Sequence, residues 1–144
     1  MAEPISPVTS EQVISQGRTV TEADIRTWAG LVHDYTALHV DAEVMGHSFF
    51  GRPVAHGYIA LNLAIGLMFP GLADWYAPDR AQLSMGWTDV RFLAPVFAGD
   101  TLRCRRTVRS AAADRVDHLV EVLNQDDTVV VSGVEHLMVP PAEP

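Results

Sequence analysis

Cysteine is nearly absent from this sequence. Cys104 is the only one in 144 residues, so no intrachain disulfide can form and nothing argues for an oxidising compartment. Positive charge is scarce as well: 10 Lys and Arg stand against 18 Asp and Glu, a formal net charge of −8 at pH 7. Nucleic acid and anionic membrane surfaces both attract a basic face, so neither is an expected partner. No apolar run is long enough to span a bilayer. The longest, from Tyr58 to Phe69, falls short of the roughly 20 residues a spanning helix needs. The opening stretch MAEPISPVTSE has neither a basic nor an apolar region of the signal-peptide kind, and a cytoplasmic location is expected. Repeats and low-complexity linkers are also lacking. The length fits one domain over residues 1–144, with Pro-rich tails at 1–10 and 140–144.

What is present is a chain that can fold around a core. Hydrophobic residues make up 48% of it, which argues against disorder. Thr21 and Asp24 form a T-x-x-D capping signal, and Ile25, Trp28, Ala29 and Val32 follow at helical spacing. The pattern predicts a helix from about Thr21 to His33. Residues 34–55 lose periodicity, with Gly46, Gly51 and Pro53 among them, and are expected to be irregular. A loop that long in a compact domain is usually functional. From Gly57 to Met68 apolar residues point almost every way around a helix, so that helix should be buried on most sides, with Pro70 and Gly71 stopping it.

Beyond Gln82 the period becomes two. Strands are expected near 83–92, with a phase slip at Asp89–Val90 that suggests a bulge, and over Thr101–Arg109, Val116–Asn124 and Val129–Val139. A short strand near Val13–Val20 precedes the first helix. One buried helix and successive antiparallel strands make an α+β fold, with a curved sheet wrapped around the helix. Sheet edges and part of the helix stay open in a monomer. Pairing of copies, as a homodimer or dimer of dimers, would close them.

The acid–base side chains crowd into "LVHDYTALHVDAEVMGHSFFGRPVAHG", residues 31–57, which holds four histidines and three acidic residues. "HDYTALHVD" followed by "FFGRPVAHGY" resembles the MaoC-like, R-specific enoyl-CoA hydratases of the hot-dog fold. Their pattern is an Asp, four residues, a His, and then an F-G-x-P-[IV]-x-H-G segment opening the central helix. "VRFLAPVFAGDTL" at 90–102 resembles their following strand and turn. The resemblance runs from about Thr19 to Leu137. Two features depart from it: His33 and Thr36-Ala37 stand where the family commonly has a Gly and an Asn-Pro pair. Ile65 stands on the central helix where a small polar residue often lines the family's site.

Hydrating an α,β-unsaturated thioester needs a base for the water that attacks C3, an acid for C2, and a donor for the enolate-like oxygen. An Asp and a His side by side can divide the first two tasks, and a backbone N–H at a helix N-terminus suits the third. The resemblance implies that Asp34 and His39 grip the water and that the Gly57 N–H binds the carbonyl oxygen. Phe50, Tyr58, Ile65 and Trp75 are the candidate substrate-binding residues, and His56 is expected to be structural, fixing the Gly57 turn. The implied substrate is an acyl-CoA or acyl-carrier-protein thioester, and no metal or redox cofactor is implied.

Other features have plainer readings. Asp34, His39, Asp41, His47 and His56 could hold a metal, but their spacing matches no recognised zinc pattern. His33 and His47 are expected at the surface. Cys104 reads as packing, and Arg103, Arg105, Arg106 and Arg109 as a solvated strand face. Trp75 and Tyr76 could shape a pocket, a dimer contact or the core. Two rival functions share the fold. A thioesterase of this fold usually carries its carboxylate on or near the central helix, where this chain has no Asp or Glu between Gly57 and Met68. A non-catalytic acyl-thioester-binding or scaffold subunit would not need the acid–base pair.

Overall fold

The computed structural model describes residues 12–72 and 83–138. Two short strands, β1 (Gln12–Ile14) and β2 (Arg18–Thr19), lead into helix α1 (Glu22–Val32). The cap expected from T-x-x-D is formed in both directions: the Thr21 hydroxyl accepts from the Asp24 N–H, and the Asp24 carboxylate accepts from the Thr21 N–H. Ile25 and Ala29 face the core, while Val32 at the far end of the stripe is exposed.

The segment 34–55 is more regular than its composition predicts. It contains two short helices, α2 (Ala37–Val40) and α3 (Ala42–Gly46). Asp41 links them, its carboxylate accepting from the N–H groups of Glu43 and Val44. Elements of one turn carry too few residues to show an apolar period.

Helix α4 (Gly57–Leu72) runs past Pro70 and Gly71, where a stop was expected. A proline removes one helical hydrogen bond, and with two residues left after it there is little helix to break. Ile59, Ala60, Leu61, Ala64 and Met68 are buried, and Tyr58, Asn62 and Gly66, spaced four apart, form an exposed stripe.

Strands β3 (Leu83–Phe92), β4 (Thr101–Ala111), β5 (Arg115–Leu123) and β6 (Val129–Met138) complete an antiparallel sheet in the order β1-β4-β5-β6-β3, with β2 also paired to β4. The slip expected in β3 is a register shift between Thr88 and Arg91, where Asp89 adopts φ 54°; a second shift flanks Met85. The sheet curves over α4, so that Leu102, Cys104, Val120, Val122 and Val131 pack with Ile59, Ala64 and Met68. This is the expected hot-dog arrangement. Cys104 is fully buried, and burial pushes its thiol up to about 12, which makes it inert packing.

The arginines of β4 divide. Arg103 and Arg105 lie on the outer side, paired with Asp127 and Glu121. Arg106 is a correction to the solvated-face expectation. It shares the parity of Leu102 and Cys104, so it points inward, where it forms a buried ion pair with Glu135 beside His118. Among the described residues no helix is long and apolar enough to cross a membrane.

Candidate active site

Three chain segments converge on one point beside the start of α4. The first is the end of α1. His33 takes the left-handed conformation, φ 58°, that turns the chain sharply out of the helix. Glycine does this at least cost, and histidine is among the few other residue types found there with some frequency. The N–H groups of His33 and Asp34 both reach back to the Ala29 carbonyl, which fixes Asp34 at the exit.

The second segment is α2, whose single turn swings His39 back toward Asp34. The His39 Nδ1–H donates to the Val54 carbonyl at 2.6 Å, while the Val54 N–H donates to the Leu38 carbonyl at 2.9 Å. This pair locks the ring, and Nε2 is the nitrogen left outside it. It faces Asp34 Oδ2 at 3.5 Å.

The third segment is the approach to α4. His56 is buried, and its Nε2–H donates to the backbone carbonyl of Asp34 at 3.1 Å. Its ring stacks on that of His39, with centroids 3.6 Å apart and planes 23° from parallel. His56 therefore ties the α1 exit to the first turn of α4 and backs the His39 ring.

Asp34 carries a negative charge at neutral pH. Its Oδ1 accepts from the Thr36 N–H at 3.2 Å and from the Thr36 hydroxyl at 3.0 Å. The N–H bond first, then the hydroxyl bond, hold its carboxyl below the usual carboxylate range, and the nearby His39 and His56 add to this.

Gly57 opens α4, and a first-turn N–H has no acceptor within its own helix. A Cβ built at Gly57 would lie 2.5 Å from two ring carbons of Phe92, so only glycine fits against that ring as it stands. Tyr58 meets Phe92 edge-on, with centroids 5.2 Å apart. A cleft of about 700 Å³ connects these groups: Asp34, His39, His56 and Gly57 at its polar end, Trp28, Leu38, Phe50, Tyr58, Phe92 and Pro95 along its apolar walls.

Most of the expected site residues thus meet in one place. Asp34, His39, His56, Gly57, Phe50 and Tyr58 all border the cleft. Ile65 does not; it is half-buried farther along α4. Trp75 and Tyr76 lie outside the described residues. His33 and His47 are exposed, and Asp41 is occupied in capping α3. Asp34, His39 and His56 do present three ligand atoms within 4.8 Å of one another. His56 Nε2, however, spends its proton on the Asp34 carbonyl and has no lone pair to offer an ion in that arrangement. That donor set suits proton transfer better than ion binding.

Thr36 and Phe92 were missed from sequence. A threonine two residues after an aspartate is a turn signal that could have flagged Thr36. Nothing local marks Phe92.

Residues 6–130 match the family model described as MaoC like domain. The chain belongs to the MaoC-like domain family. Protein MaoC of Klebsiella aerogenes is 33% identical over 112 residues, covering 74% of this chain but 30% of that protein. An (R)-specific enoyl-CoA hydratase of Aeromonas caviae is 26% identical over 113 residues, covering 77% of this chain and 80% of the relative. Among solved structures, a monoamine oxidase regulatory protein of Archaeoglobus superposes with a TM-score of 0.84 at 30% identity, over 97% of this chain and 95% of that one. Hydratases and dehydratases are thus prominent among the MaoC-like relatives.

Proposed function

We propose that this MaoC-like chain reversibly hydrates a 2-enoyl thioester, in the first place a CoA ester, to the R-3-hydroxyacyl thioester. The observation that carries the reading is the juxtaposition of Asp34 and His39, whose Oδ2 and Nε2 lie 3.5 Å apart at the polar end of the cleft that Gly57 borders. A water held by both groups gives a proton to His39 as its oxygen bonds to C3. The electron pair moves to the thioester oxygen, which the Gly57 N–H stabilises; one such donor is typically worth ~3 kcal/mol of barrier. The Asp34 charge stabilises the transient imidazolium. C2 then takes a proton back from the dyad, so water is added with nothing oxidised or reduced and no cofactor consumed. The apolar walls suit the acyl chain.

The thioesterase reading is weaker. It would use a carboxylate to drive water onto the carbonyl carbon, and between Gly57 and Met68 the central helix offers none. We further place the protein in the cytoplasm as a homodimer joined along β3, whose outer edge has no strand beside it among the described residues and exposes Leu83 and Met85. The separating assay follows crotonyl-CoA by enone absorbance together with a thiol reagent. Hydration removes the enone and keeps the thiol masked; a thioesterase frees the thiol, and a binding subunit does neither.

A further inference from the structure

We infer that Thr36 is a positioning residue: its N–H and its hydroxyl together hold Asp34 Oδ1, so that Oδ2 alone is presented to His39. The inference rests on the hydratase reading and deepens it.

Thr36 occupies the N-cap of α2, with φ −59° and ψ 147°. A threonine there ordinarily turns its hydroxyl forward onto the free N–H groups of the helix. This one makes no capping bond. It donates backward to Asp34 Oδ1 at 3.0 Å, and its N–H reaches the same oxygen at 3.2 Å. With Oδ1 taken, Oδ2 is the oxygen that lies 3.5 Å from His39 Nε2 and 3.7 Å from His56 Nε2.

The surroundings of Asp34 leave Thr36 a large share of the task. His39 faces it from α2 and His56 from the approach to α4; exposed His33 precedes it in the chain. The α1 side of the cleft offers Trp28 and Val32, and the strand side offers Phe92 to Val96 and Val131, none of them charged. Among the described residues no arginine pairs with Asp34. Hydrogen bonds from Thr36 therefore favour the anion where another site would use a cation.

Thr36→Val keeps the shape and the N–H but deletes the hydroxyl donor, and Thr36→Ser keeps the donor. Two quantities are read: the pH profile of kcat/KM for crotonyl-CoA, and the Asp34 side-chain carboxyl titration by ¹³C NMR without substrate. Thr36→Val is expected to move the Asp34 midpoint to higher pH. It should also lower kcat/KM at pH 7 by about 10- to 10²-fold, the scale of a misplaced reacting group. Thr36→Ser should match wild type in both. An Asp34 midpoint unmoved by Thr36→Val, or a Thr36→Ser variant as impaired as Thr36→Val, overturns the inference. If wild type hydrates nothing while the midpoint still rises, the hydratase reading falls and the hold of Thr36 on Asp34 stands.

Discussion

Gly57 packs its bare α-carbon against the ring of Phe92, so closely that an added Cβ would fall 2.5 Å from Cδ1 and Cε1 of that ring. The contact joins the first turn of α4 to the end of β3, and both residues border the cleft. Glycine at this position thus has a packing reason beside its proposed chemical one.

Gly57→Ala should therefore push Phe92 aside, destabilise the fold by about 1–3 kcal/mol, the usual cost of overpacking, and impair turnover. The effect belongs to the pair. In a Phe92→Ala background the added methyl has room, and urea unfolding should show a much smaller penalty. Equal penalties in the two backgrounds would mean that the glycine serves some other need.

Acid should destabilise the fold through His118. Burial first, and Arg106 second, push its imidazole down to about 3, so it is neutral in the folded protein at neutral pH. The unfolded chain regains the ordinary value near 6.5 and binds the proton more readily. Stability from this group is complete above about pH 6.5 and drains away as pH falls toward 3, by at most ~1.4 kcal/mol per unit. Urea midpoints should fall between pH 6.5 and 5, and His118→Gln should flatten that slope. An unchanged slope in the variant would assign the acid sensitivity elsewhere.

The outer edge of β3, unpaired among the described residues, predicts association. Leu83 is 47% exposed and Met85 65% exposed beside that edge. Light scattering should give twice the chain mass, and Met85→Lys should weaken the dimer by placing a charge at the seam. A fully active monomer would contradict the homodimer.

How much of this was legible in the sequence depends on the range of each interaction. The Thr21–Asp24 capping box is local and was readable as a pattern, and so was the all-round apolar character of α4. Asp34 and His39 could be singled out because five positions of chain carry them to one place, with "GRPVAHG" downstream. The α2 and α3 helices escaped because one turn leaves no period to detect. The charge of Arg106 points to solvent while its parity points inward, and the partner that decides between them, Glu135, lies 29 residues away on the far side of β5. Phe92 reaches Gly57 across 35 residues and a bulge, and no local pattern encodes such a contact.

The central claim is that Asp34 and His39 act together on water at an enoyl thioester. Its most direct test is kcat/KM for hydration of crotonyl-CoA by wild type, Asp34→Asn and His39→Gln, each with circular dichroism matching wild type. The account predicts R-3-hydroxybutyryl-CoA from wild type and a loss of at least about 10²-fold in each variant, the usual scale for removing a general acid or base. Near-normal hydration by either folded variant, or release of free thiol by wild type in place of hydration, would contradict it.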